Sequence, residues 1–426
     1  MDFIDFIENL PHGKTGAIIL AALVLGGALF KWLSEKRADR LIAAKISELE
    51  TKEKKLSQEQ ERVASLTADM EARIQTLTLR EGSVGKLRSA ILGSEEELWR
   101  LYPPNRPDNY SSSMVEMNPP VFIVANLKGG VSKTTICSNL AAHYGRRLSK
   151  RVLVVDLDHQ GSLSNLLLAS KGDTEVRSDI NRLLDPYFDL NNWHSLITNL
   201  EPALKNVDLI SASHALAPIE NKIMLDYLLQ EAGLDRRYLL ARFLQSAAIR
   251  ETYGLIILDS PPRLTAAAIN GLCAATHILV PTVLDTMSAE AVGFFLASAK
   301  RLKQDLNPYL NLLGVVGVMT DISTGLRKRE KDAMVVAEKQ INHSWPLGGK
   351  VLARNIPHKA AIQVARADGV AYERDAMVKQ WFDELGRDLS TGLRLDFSGG
   401  NEDERIPVEV GAPDVPRSIA EAFTRH

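Results

Sequence analysis

Two lysines, two glycines and three hydroxyl side chains fall within eight residues of this 426-residue chain, in the run Lys128-Gly129-Gly130-Val131-Ser132-Lys133-Thr134-Thr135. A phosphate chain needs many donors converging on it and a backbone that can approach closely, and a glycine-rich loop entering a helix N-terminus supplies both. In such loops the lysine at the position of Lys133 reaches the β- and γ-phosphates, and the hydroxyl at the position of Thr134 ligates Mg²⁺. The chemistry requires a strand before the loop and a helix after it. VFIVAN precedes it at 121–126 and TICSNLAAHYGRRL follows at 135–148. The strict glycine-x4-Gly-Lys-Ser/Thr pattern is not met, because Leu127 holds the first glycine position and Ser132 the last.

The elements that must position this loop are legible as short, continuous apolar runs: VFIVAN, RVLVVDLD at 151–158, LIILDSPP at 255–262, HILVPTVLD at 277–285 and NLLGVVGVMT at 311–320. Runs of this kind with helical stretches between them indicate parallel strands buried on both faces. The expected fold class is α/β, a doubly wound, mostly parallel sheet. Among them RVLVVDLD delivers Asp156 and Asp158, and LIILDSPP delivers Asp259. Taken singly, such aspartates are more often turn or cap residues; their order behind the lysine loop is what singles them out.

Lys128-Gly129-Gly130-x-x-Lys133-Thr134 resembles the deviant Walker A box of the ParA/MinD family of P-loop ATPases, and Asp156-Leu157-Asp158-His159-Gln160-Gly161 is similar to that family's Asp-x-Asp-x-Gln-Gly switch. The resemblance covers about Pro119 to Leu395. It implies ATP and Mg²⁺ as cofactors, residues 128 to 135 as the nucleotide loop, and Lys128 as the early lysine that contacts nucleotide across a dimer, so that two copies sandwich two ATP molecules. It further implies Lys128, Lys133 and Asp158 as catalytic groups, Asp158 orienting the attacking water. Thr134 and Asp259 would serve Mg²⁺, with Asp156 supporting the metal shell. One carboxylate and one Mg²⁺ suffice for slow phosphoryl transfer to water. Asn355-Ile356-Pro357 and the stretch 360–367 are similar to the family's late segment near the adenine, which adds Pro357 to the nucleotide set. Most family members carry glycine where Ser132 stands. A serine held at positive φ costs on the order of 1 kcal/mol, so ATP affinity is expected to persist with modest hydrolysis.

Before this domain the chain is of a different kind. An apolar run from Ala17 to Phe30, preceded by Asp2, Asp5 and Glu8 and followed by Lys31, Lys36, Arg37, Arg40 and Lys45, predicts a single transmembrane helix over 15–32 with a cytoplasmic flank behind it. The acidic start argues against a cleaved leader. Ile42, Leu49, Leu56, Val63, Met70 and Leu77 then recur every seventh residue, while the companion seam mixes Ile46 and Ile74 with Glu53, Gln60 and Thr67. A weak coiled coil is expected over 33–101, its pattern broken at Gly82 and Gly85. The proline- and serine-rich 102–118 predicts a linker, 119–395 the ATPase domain and 396–426 a polar tail, after a short segment at 1–14.

Net charge is −2, from 51 Lys and Arg against 53 Asp and Glu, so no global field favours nucleic acid. The one basic cluster, Arg327, Lys328, Arg329 and Lys331, is interleaved with Glu330 and Asp332, and non-specific DNA is not the favoured partner. Cys137 and Cys273 lie in apolar surroundings without metal or redox spacing. The expected partners are a second copy of the chain, the bacterial cytoplasmic membrane and a protein recruited or positioned there. Two alternatives remain: a scaffold or regulatory subunit whose nucleotide site is vestigial, and a polysaccharide-export tyrosine kinase, which a terminal tyrosine cluster would mark but no tyrosine follows Tyr372.

Overall fold

A computed structural model describes residues 13–116, 118–173, 178–230, 233–321, 326–345, 348–359, 362 and 369–395. The chain divides into two units, Met1–Lys86 and Leu87–His426. The first is the greater part of helix α1 (Lys14–Leu92). Among the described residues α1 is the one helix long and apolar enough to cross a membrane, by length and composition. Farther along it, Ile42, Ile46, Leu49, Leu56, Val63 and Met70 all lie exposed. The helix continues through Gly82 and Gly85 rather than ending there, since glycine lowers helix stability by about 1 kcal/mol without forbidding helical dihedrals.

The second unit carries one eight-stranded sheet in the order β3-β4-β2-β5-β1-β6-β7-β8. Its strands are β1 (Val121–Val124), β2 (Arg151–Asp156), β3 (Thr198–Asn199), β4 (Val207–Ile210), β5 (Tyr253–Asp259), β6 (His277–Val283), β7 (Asn311–Thr320) and β8 (Ile356–Pro357). Every pairing is parallel except β3 with β4. The longer helices of this unit are α2 (Lys133–Arg147), α3 (Ser162–Lys171), α4 (Leu216–Leu228), α5 (Ala266–Ala274), α6 (Thr286–Asp305), α7 (Lys328–Ser344) and α8 (Ala376–Leu393).

Alternation along the strands splits the core in two. Phe122, Val124, Val152, Val154 and Ile257 pack with side chains of α2, α3 and α8. Val121, Ile123, Leu153, Val155, Ile256 and Leu258 join α4, α5 and α6 on the other face. Strands covered on both sides bury nearly all their side chains, each large apolar one contributing about 1.5–3 kcal/mol. That is why these runs read as continuous rather than alternating.

The segment expected to be a linker, 102–118, is instead built into this unit. Tyr110 is buried and donates through its hydroxyl to Cys273 O at 2.6 Å. Arg106 reaches the carbonyls of Leu306 and Asp305 at 3.1 and 2.8 Å. Prolines and serines set the composition of the segment, but large side chains such as Tyr110 and Arg106 decide where it goes. The tail 396–426 lies outside the described residues.

Candidate functional site

The order reverses at β1, which lies between β5 and β6, so that the crossover through α2 leads to one side of the sheet and later strands fill the other. In open α/β sheets ligands sit at such a switch point, outside the carboxyl ends of the strands. Register brings the relevant ends together, with Val124 opposite Asp259 and Asp259 opposite Asp156. The sequence-expected loop therefore leaves β1 directly beside both acids.

Within the loop Gly130 has φ +73° and Ser132 has φ +61°, ψ +25°, a left-handed conformation held by a residue with a side chain. Ser132 is the N-cap of α2, and its carbonyl accepts from Ile136 N. Lys133 is only 8% exposed; its ammonium donates to the carbonyls of Asn126 and Lys128, each at 3.2 Å. Burial lowers its pKa, partly offset by the charges of Asp259 and Asp158. Thr134 donates its hydroxyl to Asp259 Oδ2 at 2.7 Å. Lys128 donates to Ser288 Oγ at 2.5 Å, at the start of α6, and Ser288 in turn donates to Asp285 Oδ2 at 2.7 Å.

The two buried acids differ in their partners. Asp156 accepts from Asp158 N at 3.0 Å, Ser164 N at 2.9 Å and Ser164 Oγ at 2.8 Å. Asp259 accepts from Thr134, and among the described residues its buried Oδ1 has no hydrogen-bond partner. Burial raises both, with their mutual repulsion adding to the shift of Asp259, Asp156 to about 6 and Asp259 to about 8. Three donors favour the ionised form of Asp156, so of the two acids Asp259 keeps its proton to higher pH. The turn after β2 is tight: Gly161 has φ +61° and donates to Asp158 O, and Asp158 Oδ1 accepts from Gln160 N at 2.9 Å. A Cβ at Gly161 would lie 2.6 Å from Ala212 O.

Lys128, Lys133, Thr134, Asp156, Asp158 and Asp259 thus surround one loop, while Pro357 lies on β8 at the sheet edge, three places from β1. Of the stretch 360–367 only Ile362 is described. Sequence reasoning missed Asn126, Ser164, Asp285 and Ser288. Asn126 anchors the loop, donating to Pro281 O at 2.8 Å and accepting from Lys128 N at 3.0 Å. Its position immediately after an apolar strand and before the lysine loop was the available signal. Nothing local marks Ser288 as the partner of a lysine 160 positions earlier.

The pairing of a hydroxyl with an orphaned carboxylate oxygen suits a hard cation with oxygen ligands, since Mg²⁺ takes one or two protein oxygens and completes its shell with water and phosphate. Comparison with known proteins agrees with this chemistry. Residues 120–312 match a family model described as an AAA domain. The chromosome-partitioning ATPase Soj of Thermus thermophilus is 35% identical over 237 residues, covering 55% of this chain and 80% of that protein. The sporulation initiation inhibitor protein Soj of Bacillus subtilis is 30% identical over 206 residues, 48% of this chain and 75% of that protein. Apo McdA of Cyanothece shares the fold at a TM-score of 0.52 and 20% identity, covering 63% of this chain and 99% of that one. With an aligned relative covered over four-fifths of its length and the lysine loop seated at the switch point, the chain belongs to the Soj/ParA family of P-loop ATPases.

Proposed function

We propose that this protein is a membrane-tethered ATPase that binds Mg·ATP at residues 128–135, hydrolyses it slowly, and uses ATP-dependent pairing of two copies to recruit or position a protein partner. The observation that carries the reading is the Thr134–Asp259 contact beside a desolvated Lys133, a charge arrangement made for a phosphate and a divalent cation. Thr134 and Asp259 would hold the Mg²⁺, which when bound neutralises charge building on the transferring phosphoryl group. Asp156 contributes by fixing the turn through Asp158 N and Ser164. Asp158 Oδ1 is engaged by Gln160 N, leaving Oδ2 to accept from an attacking water and orient it. Lys133 and the loop amides bind the phosphates. Pro357 would line the adenine.

The membrane tether rests on the apolar start of α1 and its cationic flank, and it distinguishes this chain from a freely diffusing positioning ATPase. DNA is not the favoured partner. Arg327 is ion-paired with Asp321, and the basic cluster opens α7 at the end where the helix dipole opposes cations.

Titration of the chain with a fluorescent ATP analogue and Mg²⁺ is expected to saturate, and to fail in Lys133→Ala. Phosphate release should vanish in Asp158→Ala while binding persists. A fragment beginning at Leu87, which keeps the whole second unit and removes the α1 seam, should double in mass with ATP and Mg²⁺ but not ADP, and Lys128→Ala should abolish the doubling. No saturable binding by the unsubstituted chain would overturn the reading. Recovery of the full-length protein in the soluble fraction of cells would remove the tether.

A further inference from the structure

The single helical turn Glu95–Trp99, directly after α1, is fastened to the stretch that leaves Asp259. Glu95 Oε2 accepts from Leu264 N at 2.9 Å, and Glu95 Oε1 accepts from Arg263 Nε at 2.7 Å and from Arg263 Nη2. Trp99, 2% exposed, donates its indole N–H to Leu264 O at 2.8 Å. Both backbone groups of Leu264, five residues beyond the candidate Mg²⁺ ligand, therefore end on this turn. Between them lie Ser260, Pro261, Pro262 and Arg263. Ser260 is itself tied to Val124 O on β1 at 2.9 Å, and two prolines leave little slack.

The same turn grips a second element of the site. Glu96, 1% exposed, pairs with Arg301 through two contacts of 2.5 and 2.7 Å and with Arg100 at 3.0 Å. Arg100 pairs in turn with Asp305 at 2.5 Å. Arg301 and Asp305 belong to α6, the helix whose first turn holds Lys128 through Ser288. The buried Arg237 donates to Trp99 O at 2.9 Å, locking the turn from below. Its N-terminus is closed by a capping box between Ser94 and Glu97.

We propose that Glu95 and Trp99 are positioning residues for the phosphate site: by holding both backbone groups of Leu264 they set where Asp259 stands, and so make hydrolysis depend on the segment N-terminal to the ATPase domain. This rests on the ATPase reading above. The turn touches no nucleotide and acts through the Asp259–Leu264 stretch. Because coupling is reciprocal, a nucleotide that draws on Asp259 also alters how firmly the turn is held.

The test uses the full-length chain in detergent, with steady-state hydrolysis and hydrogen exchange of the peptide spanning 260–265. Misplacing a reacting group by about 1 Å can cost up to a hundredfold in rate, so Glu95→Ala is expected to lower kcat by about tenfold with KM within twofold. Trp99→Phe, which keeps the ring and loses only the indole N–H, should fall between, and Glu95→Gln, which keeps an acceptor for Leu264 N, should recover part of the loss. Exchange at 260–265 should accelerate in the same order while the peptide spanning 121–126 stays protected. Equal kcat in all four proteins, the wild type hydrolysing, overturns this inference alone. Uniform loss of protection across the unit overturns it too, by showing a general packing role. A wild type that neither binds nor hydrolyses ATP overturns both this inference and the function on which it rests.

Discussion

Asp259→Asn should stabilise the metal-free protein while removing its response to Mg²⁺. The carboxyl is 1% exposed, one oxygen lacks a partner, and burial together with Asp156 lifts its pKa from an ordinary 3.8 to about 8. An acid whose pKa is raised by folding disfavours the native state progressively as pH climbs from its unfolded to its folded value. At pH 7 the folding chain must take up a proton against a gap of some three units, which costs about 4 kcal/mol. The amide keeps the acceptor for Thr134 but leaves its NH₂ in the place of the orphaned oxygen, a loss of about 1–2 kcal/mol. The net expectation is a gain of about 2–3 kcal/mol at pH 7. The difference should be a loss of about 1–2 kcal/mol near pH 4, rise by about 1.4 kcal/mol per pH unit into a gain, and level off above pH 8. Urea unfolding in EDTA, followed by tryptophan fluorescence from pH 4 to 9, measures it. A pH-independent difference between the two proteins, or a loss that deepens with pH, would refute the reasoning. Mg²⁺-dependent stabilisation by ATP should be present in the wild type and missing in the variant.

His277, buried with its Nδ1 2.9 Å from Thr276 Oγ1, has its pKa lowered by burial, then by Arg394, from 6.5 to about 4. The unfolded chain therefore binds the extra proton first, and stability should fall by about 3 kcal/mol as pH drops from 6.5 to 4, a slope that His277→Gln removes in acid-unfolding curves. Arg237→Leu strands Asp235 and the carbonyls of Trp99, Tyr102 and Pro103 in a buried site. A cost of about 3–5 kcal/mol in thermal or urea unfolding is expected. Gly161→Ala meets Ala212 O at 2.6 Å in a left-handed turn. Stability should fall by about 2 kcal/mol, and phosphate release should drop more steeply than ATP affinity because Asp158 is re-aimed. Ser132→Gly relieves about 1 kcal/mol of strain but frees the unfolded backbone by a similar amount. Its unfolding midpoint should stay near that of the wild type.

The five runs read as strands became β1, β2, β5, β6 and β7 because strands buried on both faces write themselves as uninterrupted apolar residues. The signal failed where a strand is short or polar. In β4 the run Val207–Ile210 includes Asp208, which is nevertheless buried because Arg151 meets it at 2.6 and 2.7 Å and Tyr253 donates to it at 3.0 Å. The loop and its acids were legible since the chemistry fixes residue type within a few positions, and the left-handed strain at Ser132 followed from the motif alone. What lay beyond reading were long-range anchors, one inside 102–118, whose composition argued for a linker, and one at the end of the helical region expected over 33–101. Tyr110 and Cys273 are 163 positions apart, Trp99 and Leu264 165. Proline content predicts the absence of regular ladders; it says nothing about whether a tyrosine between the prolines finds a pocket.

The site gathers several terms that each work against the fold: a serine at positive φ, a desolvated lysine, and two buried acids in register on neighbouring strands, both with raised pKa. Their signs are complementary to two ligands and not to one. A triphosphate alone satisfies Lys133 but sets more negative charge beside Asp259; a divalent cation alone satisfies Asp259 but leaves Lys133 facing it. Only the pair relieves both, so on the proposed reading affinity for the nucleotide and for Mg²⁺ is expected to be strongly coupled. A vestigial site would be under no such constraint. Mutation would be free to replace Asp259 with a neutral residue and collect the stability now forgone, so a buried, half-partnered aspartate beside an intact lysine loop argues that this chain still uses its nucleotide.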